Sequence, residues 1–162
     1  MSDMTLNRYK SVETVVGAVI NGLFSLFFVF LIFGGLDVVP MQDDSGLFID
    51  SIPQGLAIGF MGAFFPSFLT RKRIRNGQLH INGQSGHTSW LPSHPVLRAL
   101  VFAVFGAALS LSFFALLTFA VNIEALAFST AAVVKTIWGI CLGGLVAAIT
   151  IRLALNDYAH KV

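Results

Sequence analysis

Few residues in this 162-residue chain could do chemistry: eight Asp and Glu, ten Lys and Arg, four His and a single Cys. His80, His87 and His94 recur every seven residues, a spacing that would put them on one side of a helix. Gly77, Gly83, Gly86, Pro92 and Pro95 argue against a helix there, and no Cys, Asp or Glu joins the histidines to complete a zinc set, so a solvated linker is expected. Cys141 sits in the apolar run Ile140-Cys141-Leu142-Gly143, which excludes an intramolecular disulfide and a CxxC motif and predicts a small buried hydrophobe. Asp43-Asp44 is too short to build a cation cage by itself. Phosphate-loop, nucleophile-triad and zinc-hydrolase signatures are absent. The expectation is a non-enzymatic protein with no cofactor, no metal and no catalytic residue.

The elements that carry these residues are apolar. The chain is 56% hydrophobic and 11% charged, with a mean hydropathy of +0.80, against about 25% charged residues in ordinary soluble domains. Its length allows one domain, 1–162, and at roughly 20 residues per crossing it has room for four spans. These read as about 15–36, 52–70, 99–121 and 134–155, with a loop over 71–98. The first run exceeds the 7 to 15 or so apolar residues of a signal peptide, so it is expected to be a retained helix. Pro53 is placed in the first turn of the second span, where its missing amide hydrogen costs nothing, and Pro66 is expected to kink that span or free a carbonyl. Lys135 is placed at the outer interface, and Tyr9, Tyr158 and Trp138 near interfaces.

Charge placement orients the spans. Arg8, Lys10, Arg71, Lys72, Arg73, Arg75, Arg98, Arg152 and Lys161 fall on one side, while Asp37, Asp43, Asp44, Asp50 and Glu124 fall on the other with Lys135. Basic residues near spans accumulate in the cytoplasm, so both termini and the 71–98 loop are expected there. Arg71, Lys72, Arg73 and Arg75 anchor this topology and are the candidate contact for anionic lipid. With no folded basic domain, nucleic acid is not an expected partner.

The two halves look alike. At an offset of 85, Ala18, Val19, Ser25, Leu26, Phe28 and Leu31 meet Ala103, Val104, Ser110, Leu111, Phe113 and Leu116. At an offset of 84, Gly55, Gly59, Ala63 and Leu69 meet Gly139, Gly143, Ala147 and Leu153. The fold class expected is therefore all-α: an integral membrane four-helix bundle of two parallel-repeat hairpins. Gly55, Gly59 and Ala63, and likewise Gly139, Gly143 and Ala147, form small stripes that let helix backbones approach in lipid. Phe24, Phe27, Phe30 and Phe33 point elsewhere and are expected to face lipid or fill gaps. Asp50 and Lys135 are related by the same offset of 85, which makes them a candidate ion pair at the outer face.

No ionisable group is expected at mid-membrane, which disfavours a carboxylate-driven pump. Two functions remain: a membrane scaffold or subunit, associating with itself or another membrane subunit through its small faces, and a small homodimeric permease or channel for a small solute. The pattern VxGAxxNGxFSxxF in the first span, Val39-Pro40 before the acidic loop, the RKRIR run closing the second span and Val121-Asn122-Ile123-Glu124 resemble an uncharacterised family of small four-helix bacterial inner-membrane proteins. That resemblance implies a fold and a location and carries no activity.

Overall fold

The computed structural model describes residues 6–44, 46–79 and 91–159. Four long helices dominate: α1 (Leu6–Phe33), α2 (Leu47–Arg75), α3 (Pro95–Ala115) and α4 (Phe128–Ala159). A π-helical segment, Leu116–Ala120, prolongs α3. The candidate spans within them are 28, 29, 26 and 30 residues long; at 1.5 Å per residue each exceeds the ~30 Å hydrocarbon thickness. All four are long and apolar enough to cross a membrane.

The helices outrun the expected spans because hydropathy marks what can lie in hydrocarbon and not where a helix ends. α1 begins at Leu6 and stops at Phe33, before Gly34-Gly35. α2 starts five residues earlier than its span and runs through the basic cluster to Arg75. A Schellman motif closes it: Gly77, at φ +67°, donates its N–H to Ile74 O, and Gln78 donates to Arg73 O, both at 3.0 Å. Pro53 consequently lies inside α2 and not in its first turn. α3 opens with Pro95 in its first turn, where the orphan amide is dispensable. α4 starts at Phe128, so Lys135 is well inside it.

Two connections meet at one end of the bundle. Strand β1 (Val38–Pro40) follows α1 and strand β2 (Ala125–Ala127) precedes α4. They pair antiparallel, Val39 opposite Leu126 and Pro40 opposite Ala125. Met41 N–H to Glu124 O at 2.9 Å and Phe128 N–H to Asp37 O at 3.0 Å extend the ladder. Just before this ribbon Asn122 takes the left-handed conformation, φ 60°, which asparagine tolerates better than most residues. The described residues thus form four long helices plus one short ribbon.

Chain neighbours are not packing neighbours. α1 lies along α4 and α2 lies along α3, α2 also touches α4, and the backbones within each hairpin hardly approach. Small residues set this arrangement. A Cβ on Gly59 would sit 2.8 Å from Ala103 Cα and run into the Phe102 carbonyl, and one on Gly55 would sit 2.7 Å from Ala107 Cα. On the other side, a Cβ on Gly143 would meet Asn21 at 2.5 Å and one on Gly139 would meet Ser25 Cβ at 2.8 Å. The stripes read from sequence are therefore spent inside the chain. Side chains at the outward positions are large and apolar, including Val19, Leu23, Phe27, Val104 and Ile137.

Three core clusters follow one another along the bundle. Val29, Phe33, Val39, Met41 and Phe114 pack under the ribbon. Ile58, Ala63, Phe102, Leu142 and Val146 fill the middle. Tyr9, Leu79, Ile151 and Leu155 close the end that holds the termini. Phe33 and Tyr9, each 1% exposed, belong to this interior, because the α1 face they share with Ser25 and Asn21 is the one turned inward; Phe33 fills a gap there and does not face outward. Phe27 and Phe30 do point outward. Cys141 is exposed, contrary to the buried role expected of it, since its neighbours Leu142 and Gly143 take the inward face of α4.

Candidate functional site: a polar spine between apolar helices

Polar side chains link the helices at three levels. At the ribbon end, Lys135 Nζ donates to Asp50 Oδ2, joining α4 to α2 as an ion pair. The two side chains are 1% and 11% exposed, so this lysine is inside the bundle. Its ammonium also lies 5.4 Å from the centre of the Phe33 ring, close enough for a cation–π contribution. A charge so buried persists only beside its counter-charge.

At the terminal end one further ion pair bridges the helices of each hairpin. Glu13 on α1 meets Arg73 on α2 at 2.5 Å, and Arg98 on α3 meets Asp157 on α4 at 2.6 Å. Arg98 is 1% exposed; its Nε donates to Pro92 O at 3.0 Å, so the guanidinium also ties down the chain entering α3. Arg73 stacks over Tyr9, 5.0 Å from the ring centre, and the Tyr9 hydroxyl bonds Thr70 Oγ1 at 2.7 Å. Arg73 is thereby tied into the bundle; Arg71, Lys72 and Arg75 line a cavity of about 270 Å³ with Phe68 and Asn76.

At mid-height the helices of each hairpin are joined by one hydrogen bond. Gln54 Nε2 on α2 donates to Ser25 Oγ on α1, and Trp138 Nε1 on α4 donates to Ser110 Oγ on α3, both at 2.9 Å. Trp138 thus points into the bundle and stacks on Phe113. Asn21 donates to Gly17 O at 2.8 Å, leaving its Oδ1 buried without a partner among the described residues.

Because the α1 and α2 backbones stand apart, a crevice runs between them. One cavity of about 280 Å³ is lined by Glu13, Gly17, Asn21, Met61 and Phe65. A second, of about 300 Å³, is lined by Phe24, Ser25, Phe28, Asp50, Gln54 and Ala57. Of the loop histidines, His94 precedes α3, while His80 and His87 lie outside the described residues. The side chain of Tyr158 is outside them too.

Sequence reasoning does not mark Glu13, Arg98 and Asp157 as bridging residues, yet a signal exists. Glu13 and Arg98 are related by the offset of 85, and Arg73 and Asp157 by that of 84. These are the offsets at which the apolar residues match, here with the signs of charge exchanged. Removing one partner of the central pair should be severe. Asp50→Asn or Lys135→Met alone is expected to destabilise the protein by about 3–5 kcal/mol, and the double substitution to recover most of that loss. Denaturant unfolding in detergent, followed by helical circular dichroism, measures both; additive losses in the double variant would show that the charges do not interact.

Comparison with protein-family models, with curated proteins and with solved structures finds no match for this chain.

Proposed function

We propose that this chain is a non-enzymatic, multi-pass protein of a bacterial inner membrane, with both termini cytoplasmic, serving as a structural membrane subunit. The observation that carries this reading is the filled centre of the bundle. α2 and α4 meet there with Gly62 against Val146, where an added Cβ would lie 3.1 Å away, and the Lys135–Asp50 pair occupies the ribbon end. A bundle whose axis is filled by side chains and whose flanks pack closely through glycines, α2 on α3 and α4 on α1, is suited to holding shape. Since the small stripes are consumed within the chain, association with itself or with another subunit falls to the large apolar side chains of the outer faces.

Duplication of one hairpin is part of the same reading. It is supported by links that recur at the matching offsets: Glu13–Arg73 with Arg98–Asp157, and Ser25–Gln54 with Ser110–Trp138. It is also supported by equivalent residues that face one another, Asp50 with Lys135 and Pro40 with Ala125, both related by the offset of 85. Such self-pairing is what a two-fold axis along the bundle requires.

The basic residues at the terminal end support the orientation, with Arg71, Lys72 and Arg75 as the anionic-lipid contact. In a cysteine-free background, a cysteine at Asp43 should react with a membrane-impermeant maleimide on intact spheroplasts and one at Arg75 should not; the reverse pattern overturns the topology. The scaffold reading predicts that proteoliposomes retain small ions, glycerol and amino acids as well as protein-free vesicles do. Protein-dependent efflux of any of them would favour the alternative, a small homodimeric permease.

A further inference from the structure

The two mid-height hydrogen bonds are alike, but the space behind them is filled differently. In the second hairpin the Trp138 indole lies flat on Phe113, with ring centres 4.2 Å apart and planes 6° from parallel. In the first, Gln54 is the equivalent of Trp138 at the offset of 84, and Phe28 the equivalent of Phe113 at the offset of 85. A carboxamide is much smaller than an indole, and beside Gln54 and Phe28 lies the cavity of about 300 Å³. That volume is at the lower end of small-molecule sites, about 300–1,000 Å³. Its rim residues Ile32 and Pro53 are exposed on the outside of the bundle, so the opening faces sideways.

Gln54, which lines this cavity, also carries an unanswered polar atom. Gln54 Nε2 is directed to Ser25 Oγ and, at 3.5 Å, to Lys135 O. This orientation leaves Gln54 Oε1 buried with no hydrogen-bond partner among the described residues. A buried amide oxygen without a donor is unfavourable, and an incoming N–H or O–H would relieve it. Walls of Phe24, Phe28 and Ala57 supply an apolar bed, with Asp50 at the same cavity.

We propose that the α1–α2 crevice binds a membrane-dissolved amphiphile whose head is a flat ring of about indole size bearing one N–H or O–H donor. The ring lies on Phe28 as Trp138 lies on Phe113, the donor meets Gln54 Oε1, and any tail leaves past Ile32 and Pro53 into lipid. Trp138 serves as the template for the ring, and in that respect the inference rests on the duplication proposed above; the cavity and the unpaired oxygen stand without it.

The test uses the full-length chain in nanodiscs, with 2-naphthol as probe, naphthalene as the donor-free control and empty nanodiscs as the partition baseline, all by equilibrium dialysis. Saturable binding of one 2-naphthol per chain is expected, at least tenfold tighter than naphthalene. Gln54→Leu should erase that preference, and Gln54→Trp should abolish saturable binding while keeping the unfolding midpoint of the parent. If Gln54→Trp does not fold, Ala57→Phe fills the cavity from the next turn and should block the probe equally. Uptake no different from empty nanodiscs overturns the site, as does naphthalene binding as tightly as 2-naphthol, which would mean a crevice for acyl chains alone. A well-folded Gln54→Trp beside a parent that binds nothing refutes the site and spares the duplication; an unfolded one beside a parent that binds does the reverse.

Discussion

A lysine ammonium enclosed by apolar helices is tolerable only beside its counter-charge, and Lys135 has Asp50. Bringing them together commits α4 to lie against α2 at the ribbon end, with Phe33 of α1 under the ammonium. Once α2 and α4 share that position, α1 and α3 have only their outer flanks on which to pack. Glycines choose the flanks, Gly55 and Gly59 seating α3 on α2 and Gly139 and Gly143 seating α1 on α4, with little backbone contact within either hairpin. Desolvation makes such a pair a weak source of net stability compared with apolar residues of the same shape. Its effect is instead selective, since arrangements that separate the two charges are penalised heavily.

Cohesion elsewhere comes from backbone approach. Lipid chains are as apolar as leucine, so helices in a membrane gain little by hiding apolar surface from one another and rely on close contact and interhelical hydrogen bonds. Gly55 and Gly59 let α2 touch the α3 backbone, and Gly139 and Gly143 let α4 reach Ser25 and Asn21 on α1. Where backbones do not approach, long side chains span the gap: Glu13 to Arg73, Arg98 to Asp157, Gln54 to Ser25. Bridged gaps leave room beside the bridge, and this is why the α1–α2 crevice exists while the α3–α4 gap is occupied by Trp138 on Phe113.

Much of the helical content was legible, because a run of 20 apolar residues has one low-energy form in hydrocarbon. Helix ends were not, since the polar turns of α1 before Val15 and of α2 after Thr70 extend beyond the apolar runs. Which way a side chain faces was the harder matter. Local composition puts Cys141 inside, where the packing of α1 on α4 leaves it outward, and gives no sign that Tyr9, Phe33 and Lys135 turn into the bundle. The small stripes were readable as contact faces, but whether they meet inside one chain or between chains depends on helix order, which spacing does not encode. The offset of 85 did single out Asp50 and Lys135, whereas Glu13, Arg98 and Asp157 lie just outside the apolar runs where the similarity is visible.

The central claim is the crossed packing of the hairpins. Ala18 on α1 and Gly144 on α4 are placed so that a Cβ on Gly144 would lie 3.2 Å from that of Ala18, near the separation a disulfide requires. In a cysteine-free background, the pair Ala18→Cys and Gly144→Cys should form a disulfide rapidly in native membranes under mild oxidant, giving an intramolecular crosslink on a reducing-sensitive gel after cleavage within the 80–90 segment. No crosslink at this pair, together with a rapid one between Ala18→Cys and Ile58→Cys on α2 read after cleavage in the connection between α1 and α2, would mean that each hairpin packs on itself and would contradict this packing.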